Sequence, residues 1–217
     1  MTGGKFITLE GGEGAGKSTQ AKRLAQRLED SGLEVVTTRE PGGAPSAELI
    51  RSLLVEGEPG RWQPTTETLL HFAARHEHLQ VTVLPALKRG AWVISDRFAD
   101  STMAYQGYGL GLGREMIETL YDVAVGSFKP HLTLILDLPV DVGLARAKAR
   151  MGAGVSAAED RYERMERAFH CRLRDAFLEI AKSEPERCRV VDATGDVDAV
   201  TTAIWAATSD QFKLGAA

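Results

Sequence analysis

The sequence predicts a doubly wound α/β fold, a five-stranded parallel sheet flanked by helices, within one domain spanning 1–217. Three observations predict it. Strand-like and helix-like segments alternate along the chain, the pattern that builds a parallel sheet through crossover helices. Several strand segments are unbroken runs of Val, Ile and Leu, as expected where helices cover both faces of a sheet. Finally, the octapeptide Gly11-Gly12-Glu13-Gly14-Ala15-Gly16-Lys17-Ser18 fits the pattern G-x-x-x-x-G-K-[ST] and stands between the first strand and the first helix. A strand–loop–helix of this kind aims backbone N–H groups and the positive end of a helix at one point, which suits a phosphate. The fold is therefore predicted to be of the P-loop NTPase class.

Lys5–Glu10 is the first strand, and Thr19–Leu28 a helix with Leu24 and Leu28 on one face. Ser31-Gly32 ends it, and Glu34–Thr38 is the second strand. Glu40–Pro45, with two prolines and two glycines, is a loop. Ala47–Val55 is a short helix, Gly57–Pro64 a loop, and Thr65–Arg89 a long helix that Gly90 closes and Pro85 kinks or divides. Ala91–Asp96 is the third strand. Ser101–Tyr105 opens another helical turn, and the glycine-rich Gln106–Gly113 is expected to be a mobile loop. Arg114–Val125 is helix, Leu132–Asp137 a buried strand and Val140–Arg150 helix. Small residues over Met151–Glu159 suggest a lid, bounded at about 146–161. Arg161–Lys182 is a long helix, Arg189–Asp192 the last strand and Val197–Thr208 the last helix.

Composition narrows the partners. The chain has 217 residues, 43% hydrophobic and 26% charged, with a net charge of −4. No region is basic enough for a nucleic-acid footprint. No apolar run approaches membrane-spanning length, and the chain enters a strand at once, so neither a membrane anchor nor a signal peptide is expected. Cys171 and Cys188 fit no C-x-x-C pattern and are expected to be reduced thiols of a cytoplasmic protein.

The phosphate loop assigns Lys17 to the terminal phosphates of a nucleotide and the Ser18 hydroxyl to Mg²⁺. The chain contains no asparagine, so it lacks the Asn-Lys-x-Asp motif by which GTPases read guanine. Basic residues cluster where strands end: Arg39 after the second, Arg97 after the third, and Arg146, Lys148, Arg150 and Arg161 about the lid. Ligands bind at those strand ends in such sheets. Phosphoryl transfer between two phosphates needs cations around donor and acceptor alike, whereas hydrolysis positions only a water. The pattern favours a nucleoside monophosphate kinase. Asp96, an acid ending a buried strand, is placed as a Mg²⁺ ligand or a cap of the next helix.

An ordered set of segments resembles the bacterial thymidylate kinases. It comprises Leu9 to Ser18, Thr38-Arg39-Glu40-Pro41-Gly42-Gly43, Phe72-Ala73-Ala74-Arg75, Asp96-Arg97-Phe98, Ser101 to Gly107, Asp160-Arg161-Tyr162-Glu163 and Asp192-Ala193-Thr194. The resemblance covers essentially the whole chain. It implies transfer of the γ-phosphate of ATP to dTMP with Mg²⁺, in dTTP biosynthesis, by a homodimer. It implies that Gly11 to Ser18 hold the ATP phosphates, that Glu13 faces the acceptor sugar, and that Arg39 and Arg97 grip the acceptor phosphate. Arg75 is implied to bond a thymine carbonyl, Ser101, Thr102 and Gln106 to line the dTMP pocket, and Tyr105 to close against the ribose 2′ position. Gly14 stands where some members carry an arginine, which implies that the catalytic arginine is Arg146, Arg150 or Arg161 from the lid. The chain departs from the family at the aromatic residue that stacks on thymine four positions before the pocket arginine: counting back from Arg75 gives His71, not Phe72. Positions 71 and 75 share a helix face; either His71 stacks, or Phe72 does after a local rotation. The alternatives to this activity are a related deoxynucleoside or nucleoside monophosphate kinase and a non-catalytic nucleotide-binding regulator.

Overall fold

The computed structural model describes residues 3–58, 60–151, 162 and 165–214, except for the side chains of residues 150 and 151. Five parallel strands form one sheet: β1 (Phe6–Glu10), β2 (Val35–Arg39), β3 (Trp92–Asp96), β4 (Leu132–Asp137) and β5 (Cys188–Asp192), in the order β2-β3-β1-β4-β5. The central strand β1 is buried along its whole length. Its register pairs Ile7 with Ile94 on one side and with Leu132 on the other. The unbroken apolar runs follow from this, because helices pack on both faces. Where a polar residue enters the sheet it is paired: the buried hydroxyls of Thr8 and Thr133 are 2.8 Å apart, which meets the requirement that buried polar groups find partners.

One face carries α1 (Lys17–Asp30) and α9 (Val197–Phe212). The buried stripe Ala21, Leu24, Ala25 and Leu28 of α1 meets Val200 and Ile204 of α9 in the main core. Asp196 caps α9 by accepting from the Ala199 N–H at 2.8 Å. The remaining helices are α2 (Pro45–Val55), α3 (Pro64–His78), α4 (Leu84–Lys88), α5 (Ala99–Thr102), α6 (Arg114–Ala124), α7 (Val140–Met151) and α8 (Arg167–Ser183). None of the helices described is long and apolar enough to cross a membrane.

Three expectations change. The expected helix Thr65–Arg89 is α3 and α4 joined by a wide π-helical turn over Leu79–Val83. Pro85 sits in the first turn of α4, where its missing N–H costs least, so the division falls ahead of it. The segment Gln106–Gly113 is not a loop throughout. A π-helical stretch runs from Met103 to Gly109, with Gln106, Gly107 and Gly109 buried. Its glycines serve close packing rather than mobility: a Cβ on Gly109 would lie 2.6 Å from the Phe169 ring of α8. The helix expected from Arg161 is described from Arg167. The lid expected over Met151–Glu159 falls, apart from the Met151 backbone at the end of α7, outside the described residues.

Candidate active site

The C-terminal ends of β1, β2 and β3 open onto a cleft of about 440 Å³, lined by the phosphate loop, Arg39, Asp96, Arg97 and side chains of α3 and the α5 region. The loop turns through left-handed backbone at Gly14 (φ 70°) and at Gly16 (φ 88°), which precedes the first residue of α1. Gly14 also abuts the backbone carbonyl of Gly143 in α7. A side chain there would meet both a left-handed penalty and a fixed backbone oxygen. Lys17 folds its ammonium back over the loop, donating to the carbonyl oxygens of Gly12 (2.8 Å) and Gly11 (3.1 Å). Burial, then the neighbouring Arg97, pushes its amine down to about 8, although Glu13, Asp96 and Glu10 oppose the shift. The Ser18 hydroxyl donates to Asp96 Oδ2 at 2.5 Å, which brings two hard oxygen ligands together at the mouth of the loop.

Arg97 is the hub of a second polar cluster in the cleft. Its φ of 73° is unusual for a residue with a side chain and costs on the order of 1–3 kcal/mol. The surroundings enforce it: the Arg97 N–H donates to Leu9 O (3.0 Å) and Ser95 Oγ donates to Arg97 O (2.7 Å). The guanidinium donates to Glu13 Oε1 and Tyr105 Oη, both at 2.9 Å, and to Ser101 Oγ at 3.1 Å. Tyr105 in turn donates to Glu13 Oε1 at 2.6 Å. Burial works to raise the Glu13 carboxyl, but Arg97, Lys17 and the Tyr105 hydroxyl outweigh it and hold it down at about 2. Glu13 therefore remains an acceptor at any physiological pH. Beneath this cluster Glu10 accepts from Ser101 Oγ (2.5 Å) and the Phe98 N–H (2.7 Å), and burial with the nearby Asp100 raises its carboxyl to about 8. Arg39 is half exposed at the rim and donates to Glu48 at 3.2 Å.

The far end of the cleft is built around Arg75, which is 2% exposed. Its Nε donates to Glu40 Oε2 (2.8 Å), and its Nη2 to Thr102 Oγ1 (2.9 Å) and Phe98 O (3.1 Å). Its Nη1 is buried with no hydrogen-bond partner among the described residues. Such a donor is costly unless a ligand meets it. Glu40 also lies 2.8 Å from His78 Nδ1, and His78 Nε2 lies 2.7 Å from the Thr38 hydroxyl. Gln106 Nε2 donates to Glu67 Oε1 (2.8 Å) and to Tyr162 Oη (3.0 Å). His71 lines the cleft, with Nε2 3.5 Å from Tyr162 Oη. Phe72 does not line it. It is buried in the body of the protein, with the Arg75 guanidinium 4.9 Å above its ring, so of the two stacking alternatives the geometry puts His71 at the cleft.

The structure thus gathers Glu13, Gly14, Gly16, Lys17, Ser18, Arg39, His71, Arg75, Asp96, Arg97, Ser101, Thr102, Tyr105 and Gln106 around one cleft. It does not bring Arg146 there: the Arg146 guanidinium donates to the carbonyls of Ala193 (3.0 Å) and Thr194 (3.2 Å). The Arg150 side chain and Arg161 lie outside the described residues. Sequence reasoning passed over Glu10, Glu67, His78 and Tyr162 as site residues. Glu67 and His78 are fully buried, and their signal was a charged or titratable residue on the inward face of α3, four and three positions from His71 and Arg75.

A family model described as thymidylate kinase matches residues 9–204. A thymidylate kinase of Caulobacter vibrioides is 55% identical over 204 residues, 94% of this chain and 95% of its own length. One from Syntrophotalea carbinolica is 47% identical over 209 residues, 96% of this chain and 97% of its own. Among solved structures, the thymidylate kinase of Ehrlichia chaffeensis superposes with a TM-score of 0.75 at 34% identity, covering 95% of this chain and 99% of the other. Matches of that extent establish that the chain belongs to the thymidylate kinase family.

Proposed function

We propose that the protein phosphorylates dTMP to dTDP with ATP and Mg²⁺, supplying the pathway to dTTP. The observation that carries this reading is the pairing, within one cleft, of a phosphate loop with a second set of fixed cations and a partnerless buried donor. The loop and Lys17 take the ATP phosphates. Arg39 and Arg97 take the acceptor phosphate, and Arg97 is held for it by Glu13, Tyr105 and Ser101. Glu13, an ionised acceptor, meets the sugar 3′-hydroxyl, while Tyr105 walls the 2′ side. Arg75 Nη1 meets a carbonyl of the base. The amine of Lys17 gives up its two carbonyl contacts for phosphate oxygens, which favour its ammonium form.

Ser18 and Asp96 fit Mg²⁺. They present adjacent hydroxyl and carboxylate oxygens beside the phosphate site, and the described residues contain no cluster of three or more His, Cys, Asp or Glu side chains that would form a protein-only cage. That combination suits an ion completed by water and substrate phosphate. When bound, Mg²⁺ neutralises charge on the transferring phosphate. The residues of the chain align the two phosphates for in-line transfer, and no covalent intermediate is required. With Arg146 engaged at Ala193 and Thr194, the arginine that reaches the transferring group is assigned to Arg150 or Arg161. Homodimer formation in the cytoplasm completes the reading; exposed Leu49 and Leu53 on α2, Leu69 on α3 and Met116 and Val123 on α6 support a protein partner for that side.

An ATP-coupled assay over dTMP, dUMP, dCMP, dGMP and thymidine tests the activity. Preference for dTMP is expected; a different preferred acceptor, or nucleotide binding without transfer to any of them, removes the reading. Lys17→Ala and Arg97→Ala are each expected to lower kcat by about 10²–10³-fold with the fold intact. Near-normal turnover in either variant sinks the role assigned to that residue.

A further inference from the structure

We propose that Glu67 is a positioning residue that sets the hydrogen-bonding polarity of the base pocket, by holding the Gln106 amide with its carbonyl oxygen turned toward the ligand. The proposal rests on the dTMP reading above and adds to it a rule for which pyrimidine is accepted. Glu67 lies in the first turn of α3, and Gln106 in the π-helical stretch after α5. Gln106, Glu67 and Tyr162 close a triangle. Gln106 Nε2 donates to Glu67 Oε1 at 2.8 Å and to Tyr162 Oη at 3.0 Å, while the Tyr162 hydroxyl donates its own hydrogen to Glu67 Oε1 at 2.6 Å.

These contacts fix which end of the Gln106 amide faces Glu67. A carboxylate only accepts, and the tyrosine, having given its hydrogen to Glu67, offers the amide a lone pair. The Gln106 amide nitrogen is thereby turned toward Glu67 and Tyr162. Rotating that amide by half a turn would set its carbonyl oxygen against the Glu67 carboxylate, so Glu67 decides an orientation that a glutamine alone leaves open. The consequence is felt at the cleft, which Gln106 lines. There the nitrogen, held against the Glu67 carboxylate, leaves the carbonyl oxygen of Gln106 to face the ligand. Nearby, Arg75 Nη1 is a buried donor without a partner among the described residues.

The base end of the cleft thus displays a fixed donor and a fixed acceptor. Thymine and uracil carry the complement, a carbonyl oxygen beside a ring N–H. Cytosine reverses both, with an amino group beside a bare ring nitrogen. In this pocket it would leave the Arg75 donor facing an amino group and the Gln106 oxygen facing a lone pair, the kind of mismatch that gives strong discrimination. Guanine shows the same order of groups as thymine, so Glu67 cannot be what separates those two.

The test is steady-state kinetics with dTMP and with dCMP on the full chain, ATP and Mg²⁺ present, for wild type, Glu67→Gln and Tyr162→Phe, with a melting temperature for each. A glutamine at 67 can donate as well as accept, so it no longer dictates how Gln106 turns. For Glu67→Gln the KM for dTMP is expected to rise about tenfold with kcat little changed, and the dTMP-to-dCMP ratio of kcat/KM to narrow by at least about tenfold. Tyr162→Phe removes one acceptor of the Gln106 amide nitrogen and leaves Glu67 in place; it is expected to narrow the ratio by about threefold. A Glu67→Gln enzyme that loses activity on both substrates in parallel, or that keeps the wild-type ratio, overturns the proposal. If Glu67→Gln does not fold, an unchanged ratio in Tyr162→Phe overturns it. A wild-type enzyme with no preference for dTMP over dCMP would instead refute the substrate reading itself, before any variant is compared.

Discussion

Removing the Glu40 carboxylate tests the buried charge arrangement on which the acceptor end depends. Glu40 and Arg75 are 3% and 2% exposed at their side chains and meet at 2.8 Å, while the other Glu40 oxygen lies 2.8 Å from His78. In Glu40→Ala the guanidinium stays buried without its counter-charge. Breaking such a pair from one side costs about 3–5 kcal/mol, because the remaining charge is stranded rather than because the pair itself is strong. Arg75 keeps two neutral acceptors, Thr102 Oγ1 and Phe98 O, which places the loss near the lower end, about 3 kcal/mol. For a chain of this size that lowers the melting temperature by roughly 6–12 °C. The assay is thermal unfolding of the ligand-free protein followed by circular dichroism. The double variant Glu40→Ala/Arg75→Met removes the stranded charge as well and is expected to regain most of the loss, since replacing both partners by apolar groups is often close to neutral. A Glu40→Ala protein that melts within about 2 °C of wild type, or a double variant less stable than Glu40→Ala, would refute this account.

Gly14→Ala is expected to lower the melting temperature by about 2–4 °C or more and to depress kcat/KM, because its Cβ meets the Gly143 carbonyl in left-handed backbone; an unchanged melting temperature would show that α7 yields. ATP affinity should depend on pH through Lys17, whose amine is pushed down to about 8 in the free protein. Phosphates favour the ammonium form, so binding above pH 8 must take up a proton, and affinity should fall by up to about tenfold per pH unit there. Titration calorimetry in buffers of different ionisation enthalpy reads that uptake, and a flat affinity from pH 7 to 9.5 with no proton uptake contradicts the assignment. The same group acts oppositely on stability. Its folded value lies below the ordinary 10.5, so the unfolded chain holds more protons between about pH 8 and 10.5, and this contribution raises stability with pH across that window.

The alternation of segments, the apolar strand runs and the phosphate loop between β1 and α1 were enough to determine the five-stranded parallel sheet, because both-faced burial and crossover connections leave few alternatives. The gathering of Arg39, Asp96 and Arg97 was legible for the same reason: in a parallel sheet all strand ends of one kind share an edge. The stretch Met103–Gly109 was not. Glycine reads as flexibility along a chain, whereas here Gly109 ends a π-helical stretch and permits the Phe169 ring to approach. Nor could spacing show which way Gln106 presents its amide, or that Glu40 and His78 stand behind Arg75. Those are meetings of residues 35 to 56 positions apart, where a buried polar group takes whichever partner the packing delivers. The sequence by itself determined the sheet, the family and the kind of chemistry. Only the tertiary structure decided the partners of the acceptor-side groups, and so which of them stand ready with an open donor or acceptor, because hydrogen-bond satisfaction depends on three-dimensional neighbours and not on order along the chain.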